Sequence, residues 1–281
     1  VNWKNNMRKI GLKKLCVIVF IFAAVTVTCR WDITVSSYEI HTDKISSEVK
    51  IMLLTDLHSS GYGKEQKNLI EKIDEQAPDI ILLGGDIADD KVPHDRTWQL
   101  LSVIGKRYPC YYVSGNHEYW SGEIDLIKER IASYSVTVME GENLVIDVDG
   151  QSIQLCGIDD PEEYGQFAVS EEWVQQLKEC SAQADKELYS VLLSHRPEAA
   201  DYYKSTGFDL ILSGHAHGGQ VRIPYILNGL YAPNQGVFPQ YAGGYYDLGS
   251  NEMIVSRGLC KNILPRVFNR PEIVVVSLSG E

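Results

Sequence analysis

Five times in this chain an apolar, strand-like run ends in a short polar cluster, and that recurrence limits the fold more tightly than any bulk property. The clusters are Asp56-Leu57-His58, Gly84-Gly85-Asp86-Ile87-Ala88-Asp89, Gly115-Asn116-His117-Glu118, Ser194-His195 and Gly214-His215-Ala216-His217. The runs before them cover residues 49–54, 80–83, 110–113, 189–193 and 210–212, and a sixth run covers 153–156. All are rich in Ile, Val, Leu and Tyr, as buried strands are. Helical spacing of apolar residues marks 64–76, 96–107, 123–133 and 171–180. Strand and helix alternate over 49–135, which predicts an α/β fold with an at least partly parallel sheet. Beyond Gly218 the pattern changes, with strands expected over 218–223, 252–256 and 272–278 around a Gly/Tyr/Pro/Asn-rich loop at 228–249. One domain over 49–281 fits this pattern, built as an αββα sandwich of two mixed sheets packed face to face with flanking helices. In open α/β sheets, loops at the carboxyl ends of strands carry the functional groups. The five clusters should therefore meet at one edge.

Their chemistry points to metal. Asp56 and His58 are two residues apart, so in extended chain their side chains point the same way; His215 and His217 repeat that spacing. Asp86 has two carboxylate oxygens and can bridge two cations, Asn116 offers a neutral carbonyl oxygen, and His195 adds a nitrogen. This mixed nitrogen and oxygen set suits two divalent ions such as Mn, Fe or Zn rather than a thiolate site. A metal pair is a standard means of hydrolysing phosphate esters at neutral pH.

In its ordered motifs D-x-H, G-D-x-x-D, G-N-H-E, a single His195 and G-H-x-H, the sequence resembles the calcineurin-like metallophosphoesterases from about residue 49 to 278. The run from Gly214 to Pro224, with Ser256-Arg257-Gly258-Leu259, Pro265-Arg266 and Pro271-Glu272, resembles the bacterial membrane-associated branch of that superfamily. The resemblance implies Asp56, His58, Asp86 and His217 on one metal, and Asp86, Asn116, His195 and His215 on the other. It implies in-line attack of an activated water on phosphorus. It also implies that His117 faces the leaving-group oxygen and that Asp89 fixes the His117 imidazole by a hydrogen bond. Cys260 departs from the glycine that relatives often carry there. Arg196, Gln220 and Arg222 are candidates for contact with substrate, though ordinary surface or turn duty explains them too. The same holds for Tyr231, Phe238, Tyr241, Tyr245 and Tyr246, and for Asp159 and Asp160 near the mouth of the site.

The N-terminus reads differently. Residues 1–30 carry Lys4, Arg8, Lys9, Lys13, Lys14 and Arg30 with no acid, and Leu15 to Cys29 is an uncharged apolar run. Fifteen residues fall short of the roughly 20 that span a bilayer, but Ile10-Gly11-Leu12 can extend the run if the lysines snorkel. The expected organisation is a membrane anchor over 1–30, a polar stalk over 31–48, and a catalytic domain placed outside the cytoplasm by the positive-inside rule. Secretion after cleavage, or lipoprotein processing at Cys29, are the alternatives. The rest of the chain holds the remaining 20 of 26 bases against 38 acids. Such a body argues against a broad nucleic-acid footprint. The six cysteines make no disulfide framework: Cys16 and Cys29 lie in or beside the anchor, and the widely spaced Cys110, Cys156, Cys180 and Cys260 read as buried thiols. The expectation is a membrane-anchored phosphohydrolase cleaving phosphodiester, pyrophosphate or phosphomonoester bonds in lipid-linked or nucleotide-like substrates. The alternatives are a protein phosphatase and a non-catalytic metal-binding scaffold.

Overall fold

The apolar runs become central strands because they are buried on both faces, and a central parallel strand needs no polar side. A computed structural model describes residues 28–165, 169–261 and 265–280. The first six-stranded sheet contains β1 (Thr34–His41), β2 (Val49–Leu54), β3 (Ile80–Gly84), β4 (Cys110–Val113), β5 (Val136–Val138) and β14 (Glu272–Ser279), in the order β1-β14-β2-β3-β4-β5. The second contains β6 (Asn143–Val148), β7 (Gln151–Gly157), β8 (Tyr189–Leu193), β9 (Leu210–Ser213), β12 (Gly244–Asp247) and β13 (Glu252–Val255), in the order β12-β13-β9-β8-β7-β6. Strands β2 to β5 run parallel, as do β7, β8, β9 and β13; antiparallel pairs join β14 to β2, β12 to β13 and β6 to β7. Two-residue strands β10 (Tyr231–Ala232) and β11 (Gly236–Val237) form a separate small hairpin.

Alternation along each strand divides the side chains between layers. Ile51 and Leu53 of β2 point to the layer between the sheets, meeting Leu155, Val191, Leu193 and Leu212. Met52 and Leu54 point outward to helices α1 (Lys67–Gln76) and α2 (Asp95–Arg107), through Leu69, Ile73, Leu100 and Ile104. A short helix α3 (Asn116–Trp120) precedes α4 (Ile124–Ala132), whose Ile127 and Ile131 extend that outer layer. On the far side, Trp173 and Leu177 of α5 (Glu171–Ala182) and Tyr203 of α6 (Ala200–Tyr203) cover Cys156, Leu192 and Ile211. The αββα sandwich is the architecture found.

Several expectations need correction. The polar stretch expected as a stalk contains β1, which pairs in parallel with β14 from Thr34 to His41. Its alternating polar side chains belong to an edge strand with one wet face. Residues 218–223 do not form a strand. Gly218, Gly219 and Gln220 have φ of 62, 63 and 59°, so the chain turns in the left-handed region. Cys156 and Cys180 are not free thiols but a disulfide joining β7 to α5, with Cα atoms 6.4 Å apart. Cys110 and Cys260 are buried and lie outside any disulfide. The expected anchor falls almost wholly outside the described residues, among which no helix is long and apolar enough to cross a membrane.

Candidate metal centre

Each of the five clusters begins within two residues of a strand's carboxyl end: β2, β3, β4, β8 and β9 stop at or just before Asp56, Gly85, Gly115, Ser194 and Gly214. The backbone there is unusual. Asp56, His58, Asp86, His215 and His217 have φ between 44 and 62°, a region that residues with a Cβ rarely occupy. Such sharp turns aim side chains from separate loops at one point. Close approach also demands small neighbours: a Cβ on Gly115 would lie 2.3 Å from Asp86 Oδ1.

Ligand-type atoms of Asp56, His58, Asp86 and His217 lie within 4.8 Å of one another, as do those of Asp86, His195 and His215. Asp86 belongs to both groups. Its Oδ1 accepts the His117 backbone N–H at 2.9 Å. Its Oδ2 faces His58 Nε2 at 3.5 Å and His195 Nε2 at 3.3 Å. That oxygen has no hydrogen-bond partner, and neither do the buried atoms His58 Nε2, Asn116 Oδ1, His195 Nε2, His215 Nδ1 and His217 Nδ1. Buried polar atoms are almost always satisfied, so six unpaired ligand-type atoms converging from five loops fit a pair of divalent cations.

The opposite ring nitrogens are held in place. His195 Nδ1 donates to the Gly84 carbonyl at 2.8 Å, and His58 Nδ1 to Asp89 Oδ2 at 3.0 Å. Both bonds turn Nε2 inward and fix the tautomer, as outer partners of ligating histidines do. Arg196 Nη1 lies 3.2 Å from His215 Nε2, leaving Nδ1 on the inner side. Burial, and then the Arg196 charge, push His215 well below its ordinary range; burial likewise brings His217 down to about 4. Both rings are therefore neutral with a lone pair to offer. Burial opposes charge on His195 as well, but Asp86 outweighs it and raises His195 to about 10. Asp86, despite its burial, is held well below the usual carboxylate range by His195 and His58.

Residues 49–219 match the calcineurin-like phosphoesterase family. The chain belongs to that family. It is 30% identical over 258 residues to an uncharacterized metallophosphoesterase of Campylobacter jejuni, a match covering 88% of this chain and 63% of that protein. This chain thus spans rather less than two thirds of that relative's length. It is 31% identical over 245 residues to the uncharacterized metallophosphoesterase YkuE of Bacillus subtilis, covering 82% of this chain and 79% of the relative. Identity to the phosphodiesterase YaeI of Escherichia coli is 29% over 235 residues, covering 82% of each.

Within this calcineurin-like phosphoesterase, His117 and its carboxylate pair differently from expectation. His117 Nδ1 lies 2.7 Å from Asp90 Oδ1 and 3.8 Å from Asp89 Oδ2. Asp90 holds His117, whereas Asp89 is occupied by His58. Burial works to raise Asp89, but the His58 hydrogen bond and the Lys91 backbone N–H keep it at about 2. Arg196 is not free to meet substrate: it is buried, with Nε 2.5 Å and Nη2 2.7 Å from the Asp160 carboxylate. It braces His215 from behind. Arg222 points to Asn228 and lines a groove with Arg257 and Phe268 rather than the cleft over His58 and His117. Gln220 closes the turn after His217, with Oε1 buried and unpaired. Asp159 is taken up by Ser114, Tyr119 and Lys128.

One brace was hidden inside a motif. Glu118 is fully buried and accepts the backbone N–H groups of Asp86, Ile87, Ala88 and Gly115 at 2.7–3.0 Å. It ties the loop after β3 to the loop after β4. Burial, and then the Asp86 charge, push it up to about 7. A carboxylate set three residues past a loop glycine, at the start of a helix, is the signal that could have revealed it.

Proposed function

We propose that this chain hydrolyses phosphate esters using two divalent cations, one held by Asp56, His58, Asp86 and His217, the other by Asp86, Asn116, His195 and His215. The observation that carries this reading is the pair of buried ligand clusters sharing Asp86, beside six buried ligand-type atoms that have no hydrogen-bond partner. When bound, such cations neutralise charge on the phosphoryl oxygens and make an attacking water more acidic. The chain's own residues do the rest. Asp89 and the Gly84 carbonyl fix the rings of His58 and His195. His117 lines a cleft of about 590 Å³ above the centre, flanked by Lys91 and Lys261. With Nδ1–H donated to Asp90, the His117 imidazolium can pass the Nε2 proton to the leaving oxygen as the ester bond breaks. The two lysines supply positive charge for an anionic substrate in an otherwise acidic body.

The ions are Mn, Fe or Zn on the donor set, and a phosphodiester or pyrophosphate is the favoured bond, since one relative is named a phosphodiesterase. Lipid-linked or nucleotide-like substrates outside the cytoplasm are the favoured class. Two features support that placement: the basic flank with its apolar run at 15–29, and the Cys156–Cys180 disulfide, which fits an oxidising compartment. The deciding experiment is hydrolysis of bis-p-nitrophenyl phosphate by metal-stripped full chain, then with added Mn, beside Asp86→Asn. Activity should return with metal and fall by more than about 100-fold in the variant, beyond the usual cost of losing an outer partner. Equal activity in both proteins would rule out the proposed centre. Thiol alkylation in intact cells tests the compartment: quantitative labelling of Cys156 and Cys180 would return the domain to the cytoplasm.

A further inference from the structure

Between His217 and Asp247 the sequence has no Asp, Glu or Lys, although the whole chain carries 38 acidic residues. Seven of the fifteen exposed large hydrophobic side chains among the described residues fall between 223 and 238. Tyr225 and Ile226 are the extreme cases, at 108% and 81% exposure. A built turn holds them there. Ile223 N–H donates to the Leu227 carbonyl at 2.9 Å, and the Ile223 carbonyl accepts the N–H groups of Ile226 and Leu227 at 2.9 and 2.8 Å. The base of the turn is fixed to a second segment, Arg222 N–H donating to Val267 and Val267 N–H to Gln220. Phe268, next in that segment, is 44% exposed. With Ile226, Arg222 and Arg257 it lines a groove of about 460 Å³.

What covers this face follows from where the chain leads. Phe268 N–H donates to the Thr28 carbonyl at 2.7 Å. Thr28 lies at the end of the uncharged apolar run from Leu15 to Cys29, which follows the basic stretch from Arg8 to Lys14. The last described residue of that run, Thr28, is therefore fixed to the body beside the exposed turn. Aromatic and aliphatic tips over arginines have the composition of an interfacial contact, and a contiguous exposed apolar patch marks a docking site.

We propose that the 223–227 turn and Phe268 form a second membrane contact, which inserts Tyr225 and Ile226 into a phospholipid bilayer beside the apolar N-terminal run. The proposal rests on the membrane placement in the proposed function and adds a contact made by the folded body. It also fixes the height of the metal centre. Asn269, beside Phe268, donates to the carbonyls of His217 and Gln220 at 2.7 and 3.2 Å, so the inserted turn and a ligand loop form one hydrogen-bonded unit. A substrate whose phosphate lies at the bilayer surface would then reach the centre without leaving the membrane.

The test is fluorescence of the full chain reconstituted into phosphatidylcholine vesicles with brominated acyl chains. Ile226→Trp and Phe268→Trp report on the turn. Leu126→Trp, at a 63% exposed position on α4, reports on a surface outside it. Unchanged bis-p-nitrophenyl phosphate hydrolysis shows that each variant is folded. Bromine should quench the added tryptophan several-fold more at 226 and 268 than at 126. Flotation with the vesicles but equal quenching at all three sites overturns the second contact and leaves the anchor standing. A tryptophan at 226 shielded from acrylamide but not quenched by bromine assigns the face to another copy of the chain, and also overturns it. Failure to float overturns anchor and contact together, while hydrolysis separately judges the catalytic reading.

Discussion

The two halves of the centre are braced by buried charges of opposite sign. Loops leaving the first sheet, after β3 and β4, turn their N–H groups inward, and Glu118 accepts four of them. Chain leaving the second sheet after β13 turns its carbonyls inward, and Arg266, also fully buried, donates to those of Arg257, Gly258, Cys260 and Asn269. The direction of the peptide groups decides which charge can serve. The two braces are unequal, because a buried N–H has one bond to lose while a carbonyl has two lone pairs.

Replacing each brace tests that asymmetry. Glu118→Ala strands four donors at about 1–3 kcal/mol each, so unfolding free energy should drop by about 4 kcal/mol or more. Arg266→Met should cost about half as much, because each carbonyl it strands keeps a second lone pair for another donor. Denaturant midpoints that moved equally would break the comparison. The second half has a covalent tie that the first lacks, and Cys156→Ser should cost about 2–4 kcal/mol. Amide exchange should then quicken in β7 and α5 before it does in β3 or β4; uniform quickening would deny the staple a local role. Smaller effects separate neighbours within the first half. Asp89→Ala should weaken metal affinity about 10–100-fold, through His58. Asp90→Ala should leave metal content intact and slow turnover by about 100-fold, most on esters with poor leaving groups. The opposite pattern in metal titration and leaving-group dependence would return His117 to Asp89.

The sequence shows the central strands and the meeting of the five clusters clearly, because fully buried strands are uniformly apolar and ligands at strand ends share an edge. It hides what depends on side-chain torsion or half-exposure. β1 reads as a polar stalk because only one of its faces is covered. Residues 218–223 read as a strand because nothing in the letters marks Gln220 for a left-handed backbone. Spacing cannot say which of two adjacent carboxylates turns toward His117, since both lie within reach of one loop. Nor can it pair Cys156 with Cys180, which a strand and a helix bring together across 24 residues.

The left-handed turns at Asp56, His58, Asp86, His215 and His217 have an evolutionary consequence. Each non-glycine residue there forgoes about 1–2 kcal/mol, so glycine at any of the five would relieve the backbone and destroy the centre. A laboratory lineage selected for heat resistance alone would drift toward that bargain, shedding its ligands one by one while the sandwich grew sturdier. Only selection for turnover keeps these five side chains where the chain least wants them.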